Sequence, residues 1–174
     1  MINFETSTQQ YGTSLKDIES ALIALSKKSL LVGVFNEGRP VTEGKEKELT
    51  NSELAFIFEF GAPEVKIPAR SFMFTTLRDK LTDIQGYLLR AAEYALQGDN
   101  ESVDKTLDSL GIELVAAIKD RILKSIPPAL SKNTLRKWIK LPGGTPKKRS
   151  EYGTIPLKIT GTFMNSFEHT VENR

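Results

Sequence analysis

No cysteine occurs among the 174 residues, which excludes disulfide frameworks, thiol nucleophiles and every cysteine-ligated zinc or iron–sulfur site, and leaves the redox compartment open. Histidine is nearly as scarce. His169 is the single imidazole, so one chain cannot build a multi-histidine metal site, and a histidine-based triad would have only this residue to use. No apolar run approaches the roughly 18 to 20 residues that span a bilayer. The opening MINFETSTQQ has neither the basic nor the apolar stretch of a secretory leader. The expectation is a chain made and kept in the cytosol of the producing cell, without membrane, metal or cofactor, and an enzyme is the weaker hypothesis. Net charge is small too: 24 basic against 22 acidic residues leave +2, too little to mark a nucleic-acid binder by itself.

What is present is ordinary in amount and uneven in distribution. With 39% apolar and 26% charged residues, the chain reads as a single domain over residues 1–174, long enough to bury a core without staples. Between residues 119 and 149, however, ten basic residues face one acid, Asp120, and the remainder is acidic on balance.

Apolar residues Leu15, Ile18, Leu22 and Leu25 predict an amphipathic helix over residues 14–28. The run Leu30-Leu31-Val32-Gly33-Val34-Phe35 predicts a buried strand. Residues 36–49, rich in charge and interrupted by glycine and proline, read as a long loop or hairpin tip. Thr50-Asn51-Ser52-Glu53 is a capping box opening a short helix that ends at Gly61. Pro63 and Pro68 then predict an extended segment from 64 to 70. Two long helical stripes follow, Leu77, Leu81, Ile84, Leu88, Ala91 and Ala95, then Val103, Leu107, Leu110, Leu114, Ala117 or Ile118, and Ile122, with Gly98-Asp99-Asn100 between them. They are expected to pack as an antiparallel hairpin. Ser131 caps a short basic helix reaching Trp138, and residues 139–155 read as a second long loop. A turn or short helix from Thr160 to Phe167 and a strand from His169 to Glu172 close the pattern. The expected class is α+β: a small, mainly antiparallel sheet packed by a long antiparallel helical hairpin, with extended assembly arms and loops at 36–49 and 139–155.

Catalytic motifs are weak. Ser102-Val103-Asp104-Lys105 fits the S-x-x-K pattern of active-serine enzymes, but no S-D-N or K-T-G partner exists and Ser102 lies where a helix needs a cap. Ser166 and His169 lack an orienting acid, and the glycine-rich stretch before Lys147 is not a P-loop. Phe56, Phe58, Phe60, Phe72 and Phe74 cluster around the proline-stiffened segment, where some are expected to meet a neighbouring subunit. Lys140, Lys147, Lys148 and Arg149 are expected on a free basic loop facing DNA or an acidic partner.

Leu54-Ala55-Phe56-Ile57-Phe58-Glu59-Phe60-Gly61 followed by Ile67-Pro68-Ala69-Arg70-Ser71-Phe72-Met73 resembles tail-completion and neck proteins of tailed bacteriophages, the families called phage virion morphogenesis protein and HK97-type tail component. Pro128-Ala129-Leu130-Ser131-Lys132-Asn133-Thr134 is similar to their Pro-x-Leu-Ser-x-x-Thr block. Pro156-Leu157-Lys158-Ile159-Thr160-Gly161, with Asn165-Ser166-Phe167, resembles their Pro-Leu-x-x-Thr-Gly block. The chain departs from the pattern at Phe58, where many relatives carry histidine, and at Ser71, where they carry proline.

The resemblance implies a non-enzymatic virion protein forming a homo-oligomeric ring, commonly sixfold, at the head-to-tail junction. Its neighbours would be a head-side connector and a tail terminator or tail tube or sheath protein, with genomic DNA passing non-specifically through the lumen. A tail-terminator ring and a soluble nucleic-acid-binding module are the alternatives. The residues expected at the subunit interface are Phe60, Ile67, Pro68, Arg70, Phe72 and Met73, on a stiff arm that docks on a neighbour.

Overall fold

The computed structural model describes residues 14–35, 50–141, 143–157 and 162–173, and within them the chain is α+β. The strands form two separate two-stranded sheets rather than the single small sheet expected. The loop expected at 36–49 lies outside the described residues.

Helix α1 (Leu15–Ser26) starts at a reciprocal capping box, Ser14 with Asp17. Its inward side is not the leucine stripe. Ala21 is buried and Leu25 half-buried against Ala91 and Ala95, while Leu15 and Leu22 face solvent. Small side chains at the crossing let the two helices approach closely, and that rotates the larger leucines out of the contact.

Strand β1 (Lys28–Gly33) pairs antiparallel with β4 (Glu168–Asn173), placing Leu30 opposite Val171 and Val32 opposite His169. The strand expected at 30–35 thus begins and ends two residues earlier. Helix α2 (Asn51–Phe60) opens on the Thr50–Glu53 box and stops at Gly61, as its residues predict. The long helix expected from Leu77 onward is broken at Lys80 into α3 (Met73–Asp79) and α4 (Leu81–Leu96); Leu81 and Leu88 are about half exposed, Leu88 at an open groove, while Ala91 and Ala95 are buried. At that break the Lys80 ammonium lies 2.8 Å from carboxylate oxygens of both Asp83 and Glu113.

Helix α5 (Asn100–Leu123) is the spine. All six residues of its stripe, Val103, Leu107, Leu110, Leu114, Ile118 and Ile122, are buried. Val103 and Leu107 join Ala21, Ala91 and Ala95 in one cluster, and Ile118 and Ile122 join Ala55, Phe72, Phe163 and Phe167 in the other. The β1/β4 sheet lies on the same helix: Lys28 reaches Asp104 at 2.6 Å, and His169 Nε2 lies 2.8 Å from Asp108 Oδ1. Beyond α5 come α6 (Lys132–Arg136), capped by Ser131, then β2 (Trp138–Ile139) paired with β3 (Lys147–Lys148), a 3-10 turn at Arg149–Tyr152, and α7 (Thr162–Asn165). Residues 139–155 therefore hold more local order than their composition implies.

Gly111 is buried where the His169 ring crosses α5, and a Cβ there would overlap ring carbons. Gly86 of α4 has open space around it. The two should respond oppositely to alanine. Gly86→Ala is expected to stabilise by up to about 1 kcal/mol through helix propensity, and Gly111→Ala to destabilise by roughly 1–3 kcal/mol through overpacking. Urea denaturation of the two variants checks the signs, and stabilisation by both would show that His169 does not pack on α5.

Candidate functional site

Beyond its capping turn, helix α2 is apolar from Leu54 to Phe60 except at Glu59. Its side chain is only 6% exposed. The carboxylate accepts the Ser71 hydroxyl at 2.5 Å and the backbone N–H groups of Phe72, Met73 and Phe74 at 2.9, 2.9 and 3.1 Å. These N–H groups are the orphan donors at the start of α3, whose own cap residue, Phe72, supplies no side-chain acceptor. A glutamate from one helix thus caps another, with its negative charge at the positive end of that helix. Nothing in the sequence reading assigned Glu59 this role. The available signal was an acid between Phe58 and Phe60 in the apolar run that follows the capping turn.

The turn between the two helices is tight, not an extended arm. Residues Pro63–Val65 form a 3-10 turn, Lys66 is left-handed at φ 57, and Ala62 bridges back to Ile67. Gly61 sits at φ 78, and a Cβ there would come within 2.7 Å of the Ala69 nitrogen. The Arg70 N–H donates to the Phe58 carbonyl at 2.7 Å, and its Nε donates to the Pro128 carbonyl at 2.9 Å. Burial pushes the Arg70 pKa down, and the carbonyl partner offsets part of that cost.

This changes the expected interface. Phe72 is 0% exposed, edge-on to Phe163 and Phe167 at 5.9 and 5.4 Å. Met73 packs against the same cluster, and Arg70 is buried on Pro128. Phe72 and Arg70 are therefore interior residues of their own chain, because the cap at Glu59 draws the segment inward instead of leaving it to reach a neighbour. Phe60, Ile67 and Pro68 do line a surface. With Leu130, Ser131 and Thr134 they border an open groove of about 690 Å³ between the 61–70 turn and the segment leading into α6. Beside it runs an aromatic row: Phe56 and Phe60 have ring centroids 4.8 Å apart, and Phe74 lies 6.1 Å beyond Phe60. Each of the three is more than half exposed.

The basic residues also separate. Lys140, Lys147 and Lys148 are exposed, but Arg149 is buried, its guanidinium donating to the carbonyls of Gly153 and Ile155. It belongs to the fold and not to a free loop, because unpaired backbone carbonyls in that turn need a donor.

The serine–lysine pattern is not assembled. Asp99 caps α5, accepting the Ser102 N–H at 3.0 Å and its hydroxyl at 2.6 Å, while Lys105 pairs with Glu101. Ser166 donates to the Phe163 carbonyl, and His169 lies on β4 against Asp108. Among the described residues no group of three His, Asp or Glu could hold a metal, and no helix is long and apolar enough to cross a membrane. The site offers contact area, aromatic faces and a groove. No family model, curated protein or solved structure matches the chain.

Two outcomes follow from the caps. Glu59→Ala leaves buried N–H groups without an acceptor and should cost roughly 3 kcal/mol or more, with Glu59→Gln, which keeps one carbonyl oxygen, falling between. A loss below about 1 kcal/mol for the alanine variant by urea denaturation would show that the cap is incidental. The Ser102 hydroxyl and N–H hold Asp99 below its ordinary 3.8, so the folded form binds its proton less readily than the unfolded one. Its stabilisation is present above pH 3.8 and fades as pH falls through the lowered value. Asp99→Ala should therefore be less stable than the parent at pH 7, with the gap narrowing toward pH 2, as followed by thermal melts.

Proposed function

We propose that this chain is a non-enzymatic structural subunit of a ring at the head-to-tail junction of a tailed bacteriophage, a neck or tail-completion protein. What supports the reading is that two of the three stretches carrying the resemblance meet in space. Phe58, Phe60 and Gly61 with Ile67-Pro68 form one wall of the groove, and Leu130-Ser131 with Thr134 forms the other, joined by the Arg70–Pro128 bond. In the third stretch Pro156 is buried and Phe167 lies in the core, while residues 158–161 lie outside the described residues.

The chemistry of the surface agrees with a ring. A heterologous contact between identical subunits needs an apolar patch on one copy and a receptive concavity on the next, and repeated rotation closes it. The exposed row Phe56, Phe60 and Phe74 is such a patch, larger in character than the scattered apolar residues normal for a monomer. A second groove of about 660 Å³, bordered by Leu30 and Leu31 of β1 and by Ile84 and Leu88 of α4 and floored by α5, is apolar apart from Lys28. In this reading the α4–α5 pair packed on the small sheet is the rigid body, sixfold closure is the commonest outcome, and the ring stands between a head-side connector and the tail.

The test is assembly. Replacing Phe56 and Phe60 together by serine should leave helicity and urea midpoint close to the parent, because both rings are exposed, while shifting light-scattering mass from ring to monomer. Density for this chain at the head-to-tail junction in an electron-microscopy map of an assembled particle is the direct check. Unaltered assembly of the double variant, or density elsewhere in the particle, overturns the reading.

A further inference from the structure

Some of the described carboxylates are paired within the chain. Asp79 pairs with Arg121, Asp83 and Glu113 with Lys80, Glu101 with Lys105, Asp104 with Lys28, and Asp120 with Lys124. One face is not balanced. Lys132, Arg136, Lys137, Lys140, Lys147 and Lys148 are all exposed, no acidic residue lies between 132 and 148, and none of the six forms an ion pair with a described residue. Such a concentration of like charge suits a dense external polyanion.

In the middle of these cations stands Trp138. Its side chain is 66% exposed, it pairs across the β2–β3 ladder with Lys148, and the Lys148 ammonium sits 5.9 Å from the ring centroid. An indole this large is normally buried or partnered. Beneath it the platform is firm: the Arg149 N–H donates to the Lys137 carbonyl at 2.7 Å, and its buried guanidinium ties down the carbonyls of Gly153 and Ile155. An exposed aromatic ring with the Lys148 ammonium beside it, and further exposed cations along the same hydrogen-bonded hairpin, is an arrangement that can stack an unpaired base while holding its phosphates. Bases in a duplex are stacked on one another and cannot offer that face.

We propose that the α6–β2–β3 hairpin is a sequence-independent binding face for single-stranded nucleic acid, with Trp138 as the stacking platform and Lys137, Lys140, Lys147 and Lys148 as phosphate contacts. The assignment does not depend on the ring reading, since it uses different residues and is read out on the chain in solution.

Trp138 is the only tryptophan, so its emission reports from the site alone. Titrating the full chain with an oligothymidylate of about a dozen nucleotides should quench that emission saturably. Four to six phosphate contacts give a slope of log affinity against log salt of about −3 to −4. By anisotropy of a labelled oligomer, Trp138→Ala should weaken binding at least about fivefold, whereas Trp138→Phe, which keeps an aromatic face, should lose much less. Replacing Lys140, Lys147 and Lys148 together by alanine should lower the magnitude of the salt slope by about 2 and, because all three are exposed, leave the urea midpoint unchanged. Equal affinity for a duplex of the same length with unchanged Trp138 emission overturns the stacking role. Indifference to oligothymidylate, with emission responding instead to polyglutamate or to the chain's own concentration, overturns the proposal and assigns the face to a protein partner.

Discussion

The carboxylate of Glu59 satisfies three backbone N–H groups and one hydroxyl at the start of α3, and because it belongs to α2 it fixes two helices at once. Helix α3 has seven residues, too few to be stable alone, and no local side chain caps it. The cap therefore decides where α3 begins, and that in turn places Phe72 one residue ahead of it, inside the cluster with Ile118, Phe163 and Phe167. From the same point the outward row Phe56, Phe60 and Phe74 acquires its spacing, since two of its members are on α2 and the third on α3. The buried face and the exposed face of this region are consequences of one hydrogen-bonded carboxylate.

What was legible in the sequence was whatever depends on local chemistry or on an unbroken period. Five buried positions of α5, Val103, Leu107, Leu110, Leu114 and Ile122, follow from spacing alone, and the caps at Thr50 and Ser131 and the positive-φ stop at Gly61 follow from residue type. What was not legible depends on partners distant along the chain. Phe72 next to prolines reads equally well as an arm or as core, and only the contact with Glu59, thirteen residues earlier, decides it. Arg149 at the end of a lysine pair reads as solvent-facing charge, yet nearby carbonyls without partners draw it in. In α1 the leucines carry the periodicity but Ala21 carries the contact, because close helix approach favours the smaller side chain.

The narrow sheet illustrates the same dependence on α5. Two strands are marginal by themselves, so β1 and β4 need a surface to lie on. Helix α5 supplies it at graded depth: Asp104 holds Lys28, Gly111 admits the His169 ring by having no side chain, and Asp108 meets that ring at its edge. The sole imidazole is thereby occupied in joining sheet to helix. Asp108 is also an acid partner for His169 that the sequence alone did not reveal, since it lies on another element.

Charge has to be read by location. Exposed ion pairs contribute little to stability individually, and the pairs formed by Lys28, Lys80, Lys105, Arg121 and Lys124 leave six exposed cations between residues 132 and 148 with no acid among them in the sequence. The formal +2 of the chain hides this concentration. At physiological ionic strength screening extends over about 8 Å, so the hairpin acts at contact range and its effect depends on what the fold presents beside it. The segment entering α6 is tied by Pro128 to Arg70, and Arg70 is tied by its own N–H to Phe58 on α2. A short run of hydrogen bonds thus ties the segment that leads into the basic hairpin to the helix that carries Phe56 and Phe60, so the two exposed surfaces are held on one scaffold.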